Sequence, residues 1–121
     1  TSNVCSFAQR GALAAIKGPK DSIQKMINSY NLRRELLING LLQIENINLT
    51  KPQGAFYAFP QIINNNLSSI DFCSIALEKV GLSMVPGLVF GEDSCVRLSC
   101  AINKKTISEG INRLQDLMSS I

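Results

Sequence analysis

One arginine stands alone in a run of strand-forming residues: in Cys95-Val96-Arg97-Leu98-Ser99-Cys100 it is the only charge. A guanidinium is a planar fork that stays ionised at physiological pH and pairs a carboxylate through two parallel hydrogen bonds. In this setting it suits a fixed anchor for a carboxylate ligand. The two-residue period of a strand puts Val96, Leu98 and Cys100 on one face and Cys95, Arg97 and Ser99 on the other. A solvated arginine on the outer face of a half-buried sheet fits the same pattern, and pattern alone does not choose between the two.

Other site chemistries have less support. The chain has no histidine, and Cys5, Cys73, Cys95 and Cys100 show no C-x-x-C spacing, which disfavours zinc sites and histidine-activated nucleophiles. Each cysteine reads as a small buried apolar residue, and scattered free thiols fit a reducing cytoplasm. The net charge is +3, but the basic residues are dispersed from Arg10 to Arg113 among acids, with Arg33-Arg34 and Lys104-Lys105 as the adjacent pairs. That describes a solvated surface, not a nucleic-acid-binding stripe.

Two segments are expected to frame Arg97. Pro52-Gln53-Gly54 turns the chain into an aromatic strand over residues 54–60, which Pro60 ends. There Phe56 and Ala58 would share one face and Tyr57 and Phe59 the other. A short apolar strand over 82–85 is broken by Pro86-Gly87, residues 91–94 turn, and the Arg97 strand follows. Tyr57 and Phe59 either wall a ligand pocket or serve as core and interface aromatics. Gly87 and Gly91 either admit a ligand close to the backbone or satisfy loop geometry.

Four helices are expected around these strands. The first covers residues 4–16, with Asn3 as cap and Gly18-Pro19 as stop. Asp21 opens a long second helix in which Ile23, Met26, Ile27, Tyr30, Leu37, Leu41 and Ile44 fall on one stripe, read as core packing. A strand near 47–50 precedes the aromatic run, and Asn64-Asn65-Asn66 reads as a polar loop. A third helix over 70–80 takes Ser68 or Ser69 as cap and Gly81 as stop. Thr106-x-x-Glu109 has the capping-box spacing for a last helix with Ile107, Ile111, Leu114, Met118 and Ile121 on its apolar stripe. The fold class is α+β: a small sheet with helices packed on one face, preceded by a long connecting helix.

With 121 residues, 45% hydrophobic and 17% charged, the chain is expected to form one core, burying somewhat over ~60% of its unfolded surface. No apolar stretch reaches the roughly 20 residues of a membrane span.

Pro52-x-Gly54-Ala55-Phe56-Tyr57-x-Phe59-Pro60, then Val85-Pro86-Gly87-x-x-Phe90-Gly91, then Val96-Arg97-Leu98-Ser99-x-Ala101 resemble, in order and spacing, the carboxy-terminal part of class I/II aminotransferases, most closely the bacterial aspartate aminotransferases. The opening Thr1-Ser2-Asn3-x-x-Ser6-x-x-Gln9 is similar to the segment after the cofactor-binding region of that family, so the resemblance covers essentially the whole chain. It implies a pyridoxal-phosphate enzyme moving an amino group between amino-acid and 2-oxo-acid substrates, with Arg97 binding the α-carboxylate. It also implies residues 1–18 as the tail of the large cofactor domain, 19–45 as the interdomain helix and 46–121 as the small domain. No lysine here lies in a segment resembling the Schiff-base motif, so no catalytic residue is assigned. The chain is expected to be part of a longer cytoplasmic homodimeric enzyme, inactive and without bound cofactor when alone. Another amino-acid specificity, or a free-standing small-molecule-binding module, is the alternative.

Overall fold

The structure is a computed structural model and describes residues 2–63 and 66–120. Asn64 and Asn65 of the expected polar loop, and Ile121 at the end of the last apolar stripe, lie outside the described residues. Four helices and five short strands follow in the order ααβββαββα.

Helix α1, Ser6–Lys17, starts later than expected: Cys5 occupies the cap position and makes no side-chain cap bond, so Asn3 is not the cap. At the other end the chain breaks at Gly18-Pro19, and the Lys20 ammonium donates to the carbonyls of Ala15 and Ile16 at 2.8 and 2.7 Å. A cation there satisfies carbonyls that the helix leaves unpaired and suits the negative end of its dipole. Helix α2, Asp21–Leu41, has Lys20 at its cap position; Asp21 is in the first turn, where its charge favours the dipole, and is not the cap.

The stripe of α2 divides. Leu37, Ile38 and Leu41 are buried, and Ile44, just past the helix, stays in the core. Ile23, Met26 and Ile27 are exposed, so core packing holds only for the second half of the stripe. No residue of α1 is buried either.

Strands β1 (Ile47–Asn48) and β3 (Gln61–Ile62) form one antiparallel pair. Strand β5 (Val96–Ser99) lies between β2 (Tyr57–Ala58) and β4 (Val85–Pro86), antiparallel to both. A bridge from Gln61 to Cys95 links the two sheets. The aromatic run is a strand only at Tyr57–Ala58, because Ala55 takes a left-handed φ of 58° and breaks the extension before it. Phe56 consequently does not share the buried face of Ala58; it is exposed and packs against Tyr57, ring centroids 4.5 Å apart.

Helix α3, Ser69–Val80, starts at Ser68, whose hydroxyl accepts from the Asp71 amide, and ends at Gly81, which adopts φ 63°. Glycine takes that conformation without steric cost, and the helix stops there. Helix α4, Lys104–Met118, begins earlier than the Thr106-x-x-Glu109 spacing suggests. Asn103 Oδ1 is the cap, accepting from the amide and hydroxyl of Thr106 at 2.9 and 3.1 Å.

The core joins Leu37 and Leu41 of α2, Phe72 and Ala76 of α3, Leu114 and Leu117 of α4, and Ala58, Val96 and Cys100 of the sheet. The helices thus cover one face of an α+β unit, with the long α2 leading into it. Cys73, Cys95 and Cys100 are buried, and burial pushes all three thiols above their ordinary pKa. Cys5 is exposed, contrary to the buried reading of each cysteine.

Candidate carboxylate-binding site

The alternation of β5 decides where Arg97 points. Val96 and Cys100 are almost fully buried among the helices, so Arg97, one residue out of phase, projects from the opposite face. Its guanidinium carbon lies over the Tyr57 ring at 4.3 Å and over the Phe90 ring at 4.7 Å. Among the described residues it has no ion-pair partner. Cation–π contacts of this kind contribute about 0.5–1 kcal/mol each at exposed sites. A contact to a π-face does not itself consume the N–H donors of a guanidinium, which remain the groups that would pair a carboxylate.

The two aromatic partners arrive by different routes. Tyr57 is in β2, paired with Ser99 of β5. Phe90 comes from a 3-10 turn, Gly87–Phe90, between β4 and β5, and Phe59 meets it edge-on with centroids 5.8 Å apart. Tyr57 and Phe59 therefore both belong to the aromatic surroundings of Arg97, Tyr57 by direct contact and Phe59 through Phe90.

The turn folds back on its neighbours. The Gly87 amide donates to the Cys95 carbonyl at 2.9 Å, and the Glu92 amide to the Gly87 carbonyl at 3.1 Å. A Cβ at Gly87 would overlap the carbonyl oxygens of Glu92 and Cys95. Backbone meeting backbone is what requires this glycine, so loop geometry accounts for it. Gly91 closes the turn at φ 84°, again for loop geometry.

Beneath the turn, Asp93 Oδ1 accepts from the amide and hydroxyl of Ser69 at 2.8 and 2.6 Å. The same hydroxyl oxygen accepts from the Leu88 amide at 3.1 Å. The hydroxyl and amide of Ser69 hold the Asp93 carboxyl below its ordinary pKa, and Ser94 does the same to Glu92. These bonds, and the Phe90 contact to Arg97, were not deduced from the sequence. The available signal was that Phe90 is the one aromatic residue between β4 and β5.

A trough of about 420 Å³ runs between the β4–β5 pair and α4, its lining including Tyr57, Arg97 and Ser99 as well as Leu82, Ile107 and Arg113. No lysine lines it, and every lysine in the chain is exposed. Among the described residues, no group of three or more His, Cys, Asp or Glu is placed to hold a metal ion. Among the described residues, no helix is long and apolar enough to cross a membrane.

Comparison with known proteins bears on the family and the fold. The family model for aminotransferase class I and II matches residues 1–114. A probable aspartate/prephenate aminotransferase of Aquifex aeolicus is 36% identical over 125 aligned positions, covering 99% of this chain and 32% of that protein. An aspartate aminotransferase of Sulfurisphaera tokodaii is 40% identical, covering 96% of this chain and 31% of that protein. Among solved structures, an aspartate aminotransferase from Rhizobium meliloti superposes with TM-score 0.86 at 28% identity, covering 98% of this chain and 32% of that one. An alanine aminotransferase from Pyrococcus furiosus gives 0.87 at 29% identity, covering 94% and 30%. The chain thus spans about a third of the length of the curated relatives it matches. In motif order, fold and sequence match, this chain belongs to the class I and II aminotransferase family.

Proposed function

We propose that this chain is the carboxy-terminal part of a pyridoxal-phosphate-dependent aminotransferase of the aspartate/2-oxoglutarate type, in which Arg97 binds the substrate α-carboxylate. The observation carrying this reading is the guanidinium over Tyr57 and Phe90 with no ion-pair partner among the described residues. Every amino-acid and 2-oxo-acid substrate presents an α-carboxylate in both directions of the reaction, so one permanent bidentate cation serves them all. Fixing that group also orients the α-carbon for proton removal. Aspartate is the favoured amino acid because it appears in the names of the Aquifex and Sulfurisphaera relatives.

Pyridoxal phosphate supplies an electron sink when bound. The residues described here do not by themselves fit it: no lysine lines the trough beside Arg97. In this proposal the amine and the ring and phosphate contacts come from the rest of the polypeptide, and the 121-residue chain alone has no transaminase activity.

The same reading assigns residues 1–18 to the large domain, 19–45 to the interdomain helix and 46–121 to the small domain. The absence of buried residues in α1 and the half-exposed stripe of α2 support that division. It extends to a cytoplasmic homodimer; sedimentation of the full-length protein as a monomer would remove that part.

The test of the anchor is Arg97→Lys in the full-length protein, which keeps the charge and loses the fork. Losing a charge-assisted hydrogen bond costs about 1.5–3 kcal/mol. We therefore expect kcat/KM to fall roughly 10- to 160-fold, for aspartate and 2-oxoglutarate alike. Unchanged catalytic efficiency removes Arg97 from the anchor role.

A further inference from the structure

We propose that Ser69 is a positioning residue for carboxylate recognition: its hydroxyl fixes the backbone of the 3-10 turn that holds Phe90 against Arg97. The inference rests on Arg97 being the carboxylate anchor, and adds how that anchor is kept in place.

Ser69 is the buried polar residue of the described chain, 3% exposed. Its hydroxyl is not needed to start α3, because Ser68 already accepts from the Asp71 amide at 3.1 Å. The Ser69 hydroxyl instead donates to Asp93 and accepts from the Leu88 amide. One small side chain thereby joins the start of α3, the 3-10 turn and the turn leading into β5.

Leu88 is fixed from both sides. Its amide is held by Ser69, and its carbonyl accepts from the Gly91 amide at 3.0 Å. Phe90 lies two residues on and is 49% exposed, so burial does not fix its ring. The ring is placed by the backbone beneath it and by Phe59 and Arg97 beside it.

Arginine carries large rotamer freedom. A ring held over its guanidinium narrows that freedom before substrate arrives, which reduces the ordering cost at binding. Removing the Ser69 hydroxyl leaves the Leu88 amide without its partner, so the turn keeps its backbone bonds at Gly87 and Glu92 but loses its tie to α3 and gains play. The positive charge stays, but its orientation loosens.

The experiment is steady-state kinetics on the full-length protein carrying Phe90→Leu, Ser69→Ala, the pair together, and Arg97→Lys. Phe90→Leu should raise KM for aspartate and 2-oxoglutarate by a common factor of roughly 2 to 5, as loss of one exposed cation–π contact does. Ser69→Ala should raise both KM values by no more than that, with kcat preserved. Because Ser69 acts through Phe90, adding Ser69→Ala to Phe90→Leu should change nothing further. Additive effects, or unchanged KM in Ser69→Ala, overturn the proposal. If Ser69→Ala does not fold, Asp93→Ala, at an exposed position, removes the acceptor that orients the Ser69 hydroxyl with its lone pair toward the Leu88 amide, and is judged by the same criteria. Unchanged KM and kcat/KM in Arg97→Lys overturns the anchor reading and this proposal with it; a loss in Arg97→Lys beside unaffected Ser69 and Phe90 variants overturns this proposal alone.

Discussion

The two halves of helix α2 carry one apolar stripe in two environments. Near its carboxy-terminal end, Leu37, Ile38 and Leu41 join the core with α4 and the sheet, and Leu41 and Leu114 of α4 are both 0% exposed. Near its amino-terminal end, Ile23, Met26 and Ile27 face solvent, as do Val4 ahead of α1 and Phe7, Leu13 and Ile16 within it. Helical periodicity is the same in both halves; what differs is whether the described residues cover the stripe. A helix is stabilised chiefly by what its apolar face packs on, so the second half is a structural element of this unit. The first half presents its apolar residues to solvent among the described residues.

The sharpest test of that contrast compares Leu41→Ala with Ile27→Ala in the 121-residue chain. Truncating a fully buried leucine costs about 2–5 kcal/mol, from lost burial plus the cavity left behind. A substitution at an exposed position is expected to stay within about 0.5 kcal/mol. Chemical denaturation reads both, and comparable losses would break the comparison. It is sharpened in the full-length protein: if the rest of the polypeptide covers α2, Ile27→Ala becomes costly there while staying silent here.

A smaller effect separates the starts of α4 and α1. Asn103 caps α4 through the Thr106 amide, whereas Cys5 sits at the α1 cap with an extended backbone and no side-chain bond. Asn103→Ala should destabilise the unit by about 1 kcal/mol, detectable as a shifted denaturation midpoint. Cys5→Ser supplies the missing acceptor and should slow amide exchange in the first turn of α1 without moving the global midpoint. A global shift from Cys5→Ser would mean that α1 unfolds together with the core.

These contrasts also show what was readable along the chain. The stop of α3 at Gly81, its start to within the pair Ser68 and Ser69, and the outward side of Arg97 were legible, because caps and strand alternation depend on residues adjacent in sequence. The left-handed Ala55 was not, since alanine carries no local signal for that conformation and the surrounding fold imposes it. The α4 cap was assigned to Thr106 because serine, threonine and asparagine compete as caps. The choice of Asn103 becomes visible only once its carboxamide reaches the Thr106 amide. For the site, sequence supplied the arginine and offered Tyr57 and Phe59 as candidate walls, but not Phe90. Phe90 reaches Arg97 only after a glycine turn folds back onto β5, and no periodicity describes that turn.

The smallest expected effect concerns pH and sets the same two regions apart. Asp93 is held below its ordinary pKa by the hydroxyl and amide of Ser69. A carboxyl whose folded-state pKa is depressed stabilises the fold above its unfolded value, and that contribution is lost as pH falls through the folded value. Acidification below the ordinary aspartate range should therefore loosen the Ser69–Asp93–Leu88 relay, with Glu92 and its Ser94 bonds changing in the same direction. The amide resonances of Ser69 and Leu88 should titrate together, while those of α2 around Leu41, which lies in the apolar core, hold still until global unfolding. Asp93→Asn keeps an acceptor for Ser69 but has no proton to gain, so it should suppress the shared titration at Ser69 and Leu88. If the shift persisted in that variant, the acid sensitivity would belong to another group, and the relay would be fixed by packing around α3 instead of by the Asp93 charge.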